Sequence, residues 1–199
     1  MKHLENLSSI TGQNIFLRPI VDSDYQTLFS WRNESMWLYL WSHPRRLVSF
    51  NEYANTLEKS LQKDVDIWLM IMSKENNEPI GFVYSYDTRP WDKHTFLTMF
   101  LTPTSRGKNF GLEAGAFFVQ YLMDYFPLEK IYADVFEFNP ISQSFVKNYG
   151  FVQEGFFPQH RYHQGKFWGM YRLALYREKW NGIKEEVFEN IKKTSSNQS

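Results

Sequence analysis

The run Leu101-Thr102-Pro103-Thr104-Ser105-Arg106-Gly107-Lys108-Asn109-Phe110-Gly111 constrains this chain more than any other stretch. Residues 95–101 before it read as an apolar strand. After it, Leu112, Gly115, Ala116, Val119, Leu122, Met123 and Phe126 recur at the three-and-four spacing of a buried helix face. The run therefore joins a strand to a helix, with Pro103 closing the strand by removing a backbone donor. N–H groups at a helix start have no intrahelical partner, and the aligned peptide dipoles add partial positive charge. A junction of this kind can hold an anion such as a phosphate. Gly107 and Gly111 let a ligand approach the backbone, and Arg106 and Lys108 add full positive charges.

Composition limits what such a site can serve. A chain of 199 residues suffices for one domain with a substantial core, and no linker, repeat or low-complexity block marks a second. Twenty-two basic residues balance 22 acidic ones, which removes the global electrostatic case for nucleic acid or an anionic membrane as partner. There is no cysteine, so disulfides, thiolate metal sites and a cysteine nucleophile are excluded, and a cytoplasmic address is expected. No run approaches the roughly 20 apolar residues that a membrane span needs. His3, His43, His94, His160 and His163 show no metal-ligand spacing, so no metal is expected; His43 or His163 could still serve as a base. Aromatic residues are 19% of the chain, which suits either a ring-lined cavity or a ring-rich core.

In chain order, residues 15–19 read as a first strand, followed by Asp22 or Ser23 as N-cap of a helix through Leu28 and Trp31. Ser49 with Glu52 forms a capping-box pattern before an apolar stripe of Phe50, Tyr53, Leu57 and Leu61. Residues 66–73 and 80–86 read as antiparallel strands around a polar, Asn-rich turn. Pro127 stops the helix opened by the glycine loop, and residues 131–138 form another strand, ended by Asn139-Pro140. A short helix over 142–149 closes at Gly150, residues 166–176 return as a last strand, and the tail from Thr194 is polar enough for disorder.

The pattern Pro103-x-x-Arg106-Gly107-Lys108-x-x-Gly111 resembles the pyrophosphate loop of the GNAT superfamily of N-acetyltransferases. Where the family usually has a glycine, this chain has Asn109, the side-chain-bearing residue that best tolerates positive φ. Leu17-Arg18-Pro19 with Asp24 and Trp31-Arg32-Asn33 is similar to the opening of the branch containing ribosomal-protein N-terminal, spermidine and amino-sugar acetyltransferases. Asn139-x-x-Ser142, Gly150-Phe151 and Glu154-Gly155 are similar to later segments of that branch. Taken singly, each has a plain structural reading: Asn139 as a strand terminator, Gly150 as a helix stop, Phe151 as core.

The resemblance covers about residues 15–180. It implies a single-domain α/β fold with a mixed, mostly antiparallel sheet, splayed at a cofactor cleft and flanked by helices. Residues 1–14 become an N-terminal extension, 15–183 the acetyltransferase-like domain, and 184–199 a C-terminal helix with a disordered tail. Acetyl-coenzyme A is the implied co-substrate. Arg106, Gly107, Lys108, Asn109, Phe110 and Gly111 would hold its pyrophosphate, Asn139 its pantetheine arm, and a backbone N–H of Phe100 or Leu101 would polarise the thioester carbonyl.

The implied reaction transfers acetyl to a primary amine, with a small molecule favoured over a protein N-terminus. The alternatives are an N-terminal protein acetyltransferase or a non-catalytic acyl-coenzyme A binding module; a homodimer is compatible with either. Two customary positions differ. At one, where many members carry an acidic residue three positions past a late glycine, here Gly165, this chain has Trp168. Where many members carry a tyrosine acid, this chain has Val146, which leaves Tyr149, about one helical turn on, as the nearest hydroxyl. Asp134 matches a glutamate that some members use as base, acting directly or through water, with Glu137 on the opposite face of the same strand. Aromatic faces of Trp37, Tyr39, Trp41 or Trp91 could hold a cationic acceptor.

Overall fold

The computed structural model describes residues 9–33 and 46–196. Trp37, Tyr39, Trp41, His3 and His43 lie outside the described residues. The described chain runs β1 (Ile10–Thr11), β2 (Ile15–Pro19), α1 (Tyr25–Asn33), α2 (Phe50–Leu61), β3 (Trp68–Ser73), β4 (Pro79–Arg89) and β5 (His94–Leu101). It continues through α3 (Phe110–Tyr125), β6 (Lys130–Phe136), α4 (Pro140–Asn148), β7 (Val152–His163), β8 (Lys166–Tyr176) and α5 (Arg177–Ser196). The strands form one sheet in the order β1-β2-β3-β4-β5-β6-β8-β7. Every neighbouring pair is antiparallel except β5 with β6, which is parallel.

Strand alternation sends side chains to two separate cores. On one face Ile15, Leu17, Ile71, Val83, Ile131 and Leu173 pack under α3, α4 and α5, which contribute Phe118, Leu122, Val146 and Trp180. On the other face Met70, Met72, Phe82 and Phe100 meet Leu28 and Trp31 of α1 and Tyr53 and Leu57 of α2. Glu113, buried in α3, fixes that helix against the opening of the chain by accepting backbone N–H groups of Gln13 and Asn14 and the Asn14 amide.

Several expected boundaries differ, each for a local reason. The turn before α1 starts at Val21, because the Asp24 carboxylate reaches back to accept its N–H at 2.9 Å while pairing with both terminal nitrogens of Arg18 at 2.6 and 2.8 Å. Ser49 caps α2 by accepting from Glu52 N–H, but the Glu52 carboxylate bonds Arg46 instead of completing the box. β7 is absent from the sequence reading. Its residues VQEGFFPQHRYH show no clean alternation, and its pairing with β8 slips between Gln153 and Gly155 and again between Phe157 and Arg161. Helix α5 begins at Arg177, spans the boundary drawn at residues 183 and 184, and includes Thr194 to Ser196. Trp91 sits in the β4–β5 turn at 96% exposure, so its ring lines no cavity.

Candidate active site

The parallel pair β5 and β6 touches only at its start. His94, Thr95 and Phe96 pair with Lys130, Ile131 and Tyr132, and beyond Phe96 and Tyr132 the register ends. From there β5 continues along β4 to Leu101 and β6 continues along β8 to Phe136, so the sheet opens between them into a V.

Which backbone groups line the V follows from alternation. Thr102 N–H donates to Ile80 O at 2.9 Å, and Ser85 N–H donates to Ile67 O at 2.8 Å. With Gly81 opposite Leu101 and Phe82 opposite Phe100, the amide of Phe100 turns to β4, and those of Leu97, Met99 and Leu101 turn toward β6. Leu101, not Phe100, is thus the amide on the cleft side. The Phe100 ring is buried against Trp31 and Phe82, at centroid distances of 5.0 and 5.3 Å. Across the V, Glu137 N–H donates to Gly169 O at 2.9 Å, so the same alternation turns the backbone of Asp134 and Phe136 into the cleft.

At the rim lies the glycine loop. A 3-10 turn over Pro103–Ser105 lifts the chain off β5, and Gly107 (φ 79°) and Asn109 (φ 60°) both take left-handed backbone. A side chain at Gly107 would meet nothing within 4 Å, so that glycine is there for its φ. Asn109 is the N-cap residue of α3, yet its side chain makes no capping bond, and the first helical bond runs from Glu113 N–H to Asn109 O at 3.0 Å. The N–H groups of Phe110, Gly111 and Leu112 therefore lack helical acceptors and stand beside the exposed Arg106, Gly107 and Lys108. Gly111 is buried; a Cβ there would come within 3.2 Å of Leu101 and 3.3 Å of Met99, so its smallness sets how closely α3 approaches β5. Arg106 Nε donates back to Leu101 O at 3.2 Å, tying the loop to the end of the cleft.

On the β6 side, Asn139 caps α4: its Oδ1 accepts from Ser142 N–H at 3.2 Å. That leaves the amide hydrogens of its side chain for another acceptor. Tyr149 follows directly on α4 as its C-cap residue. It is 3% exposed, sits among the core residues under α3 and α4, and donates its hydroxyl to Gly111 O at 3.4 Å. Burial, with Glu113 nearby, pushes its phenol well above the ordinary value, which makes it a poor proton donor. Its place is in packing.

Asp134 stands on β6 two residues past the last β5–β6 pair, with its side chain on the face opposite α3. Both carboxylate oxygens accept from Arg172 of β8, Oδ1 from Nε at 2.8 Å and Oδ2 from Nη2 at 2.7 Å. The guanidinium lies over Phe96 at 4.7 Å, Phe157 at 5.4 Å and Tyr132 at 5.6 Å. Tyr86 adjoins this group: burial first, then Tyr84 and Asp134, push its phenol upward. Glu137 lies just past the end of β6, and its Oε2 accepts Gly169 N–H at 2.9 Å. Arg172, Tyr132 and Phe157 were not among the sequence-based candidates. The alternation of β6 placed Tyr132 beside Asp134, but Arg172 and Phe157 could be brought there only by the registers of β8 and β7. Among the described residues, no group of three or more His, Cys, Asp or Glu is arranged to hold a metal ion. No described helix is long and apolar enough to cross a membrane.

A sheet split between two parallel strands, with N–H groups of a helix start at its rim, is the frame in which the sequence-based site residues lie. The Acetyltransferase (GNAT) domain family matches residues 14–152, most of the chain, and the chain belongs to that family. No curated protein sequence matches it. Among solved structures it resembles the spermidine N-acetyltransferase of Vibrio cholerae in complex with coenzyme A and spermine, at 19% identity and a TM-score of 0.78, over 85% of this chain and 99% of that one. It also resembles RimL, a ribosomal-protein α-N-acetyltransferase in complex with coenzyme A, at 15% identity and a TM-score of 0.76, over 86% and 99%. A third likeness is to a GCN5-related N-acetyltransferase from Brucella melitensis, at 17% identity and a TM-score of 0.75, over 94% and 86%. At these identities the likeness concerns the fold.

Proposed function

We propose that this acetyltransferase moves the acetyl group of acetyl-coenzyme A to a primary amine, with a small-molecule amine favoured over a protein N-terminus. The observation that carries the cofactor reading is the V between β5 and β6, which leaves backbone groups of Met99, Leu101, Asp134 and Phe136 without a partner on the facing strand. Such groups are rarely left unpaired. A pantetheine arm, with two amides on an extended chain, satisfies them as a strand would, and the donors of Phe110, Gly111 and Leu112 receive the pyrophosphate. Arg106 and Lys108 add charge, Gly107 and Asn109 set the curve of the loop, and the Asn139 amide donates to the arm.

With the arm so threaded, the thioester lies along β5, and the Leu101 N–H, toward the open end of the V, is the donor assigned to stabilise the tetrahedral oxyanion. The amine then attacks from the face bearing Asp134. An ammonium must lose a proton before it attacks. Both Asp134 oxygens accept from Arg172, so we assign Asp134 to receiving that proton through a water. The leaving thiolate takes its proton from solvent. The cysteine-free chain and the amine chemistry are compatible with a cytoplasmic enzyme, as a monomer or a homodimer.

The test has two parts. Acetyl-coenzyme A should raise the melting temperature, and thiol should be released from it in the presence of a panel of small amines and N-terminal peptides. Stabilisation without release across the panel would support a binding module instead. No stabilisation at millimolar acetyl-coenzyme A would remove both readings.

A further inference from the structure

The side chains around Asp134 form a container for a cation, and the chain fills it itself. Its walls come from three strands: Phe96 of β5, Tyr132 of β6 and Phe157 of β7. Phe96 and Tyr132 stack at a centroid distance of 5.0 Å, and they are the last residues paired before the sheet opens. Asp134 supplies the carboxylate. Ring faces and a carboxylate around one small space are the elements that bind an ammonium or guanidinium ion. Arg172 of β8 enters that space, bonded to both oxygens of Asp134 and within 5.6 Å of all three ring centroids. The side chains of Arg172 and Asp134 keep 32% and 17% exposure, so the container remains open to a ligand.

A direct cross-strand pair between β6 and β8 would explain the ion pair alone, since Asp134 and Arg172 are register partners. It does not explain why the guanidinium is ringed by three aromatic faces at the closed end of the cleft. We propose that Arg172 is a specificity-determining residue, which occupies the cation container beside the acceptor and so selects amines whose remaining body is neutral or anionic. The proposal rests on the acetyltransferase reading above. A second positive charge on the acceptor finds Asp134 already neutralised and meets the guanidinium. A neutral body finds the rings, and an anionic one finds the outer edge of Arg172. Specificity here comes from a repulsive element as much as from an attractive one.

The experiment compares butylamine with 1,4-diaminobutane, which differ by one terminal ammonium. The wild-type enzyme should show kcat/KM at least ten-fold higher for the monoamine. Arg172→Met, which keeps the length and loses the charge, should shift that ratio at least ten-fold toward the diamine; should it not fold, Arg172→Gln takes its place. Adding Asp134→Asn to Arg172→Met should abolish the shift, because the container then lacks its carboxylate. A wild-type preference for the diamine, or a ratio that moves less than two-fold in the Arg172 variants, overturns the proposal. Binding is measured separately from turnover, by titrating 1,4-diaminobutane into the protein without acetyl-coenzyme A. There Arg172→Met should bind at least ten-fold tighter than wild type, and equal affinities overturn the container even if no amine is acetylated. Loss of acetyl-coenzyme A stabilisation, by contrast, would overturn the transferase reading and leave the titration result standing.

Discussion

The two sides of the cleft are made of different material. The side proposed for the cofactor is built from main chain: N–H groups of β5 and of the first turn of α3 without strand or helix acceptors, with two left-handed residues, Gly107 and Asn109, in the loop. The side proposed for the acceptor is built from side chains that four strands bring together, Phe96, Tyr132, Phe157 and Arg172 around Asp134. A main-chain site tolerates change in any one side chain but not a change in backbone shape. The side-chain site has the reverse sensitivity, so substitutions on the two sides should separate binding of the cofactor from turnover.

The largest effect is expected on the acceptor side. Asp134→Asn should lower turnover at pH 7 by about a hundred-fold, the lower end of what a positioned proton acceptor contributes. The affinity for acetyl-coenzyme A should stay within about two-fold. The sign with pH is fixed by the substrate: as pH rises, more amine is already neutral, so the loss should shrink. A loss that is constant from pH 7 to pH 10 would show that Asp134 acts only by holding Arg172.

Next comes the loop. Gly111→Val places bulk against Leu101 and Met99 and should push α3 off β5 by a few tenths of an ångström. At about 2 kcal/mol for such overpacking, the dissociation constant for acetyl-coenzyme A should rise about thirty-fold. Arg106→Ala should weaken binding by only about three-fold, because an exposed charge contributes at most about 1 kcal/mol. Should Arg106→Ala match Gly111→Val, side-chain charge and not main-chain shape would be holding the pyrophosphate. The smallest effect is expected for Asn109→Gly, which removes the strain of a left-handed side-chain-bearing residue, up to about 1 kcal/mol. Cofactor affinity and melting temperature should be equal to wild type or slightly higher; a clear loss of affinity would give the Asn109 amide a direct role in binding.

The same contrast explains what the sequence revealed. Main-chain sites are written in residues with backbone consequences, and Pro103, Gly107, Asn109 and Gly111 lie within one short stretch, so the loop, its positive φ at Asn109 and the helix after it could be read directly. Strands with clean alternation or apolar runs, such as β3 and β5, were legible for the same reason. β7 was not, because its bulges and its Pro158 break the period that identifies a strand. The acceptor side depends on register. Asp134 faces Arg172 only because β8 pairs with β6 from Lys130 with Tyr176 through Phe136 with Met170, a long-range match that no local pattern encodes. For Tyr149, the position at the end of α4 was legible but the contact with Gly111 of α3 was not, for the same reason.

The central claim is that acetyl-coenzyme A lies in the V between β5 and β6 with its pyrophosphate on the loop before α3. Amide hydrogen exchange, with and without saturating acetyl-coenzyme A, tests this most directly. The account predicts slowed exchange at Met99, Leu101, the N–H groups of residues 107–112, Asp134 and Phe136, with β2 and β3 unchanged. Unaltered exchange at those positions under saturating cofactor, or protection confined to another part of the sheet, would contradict it.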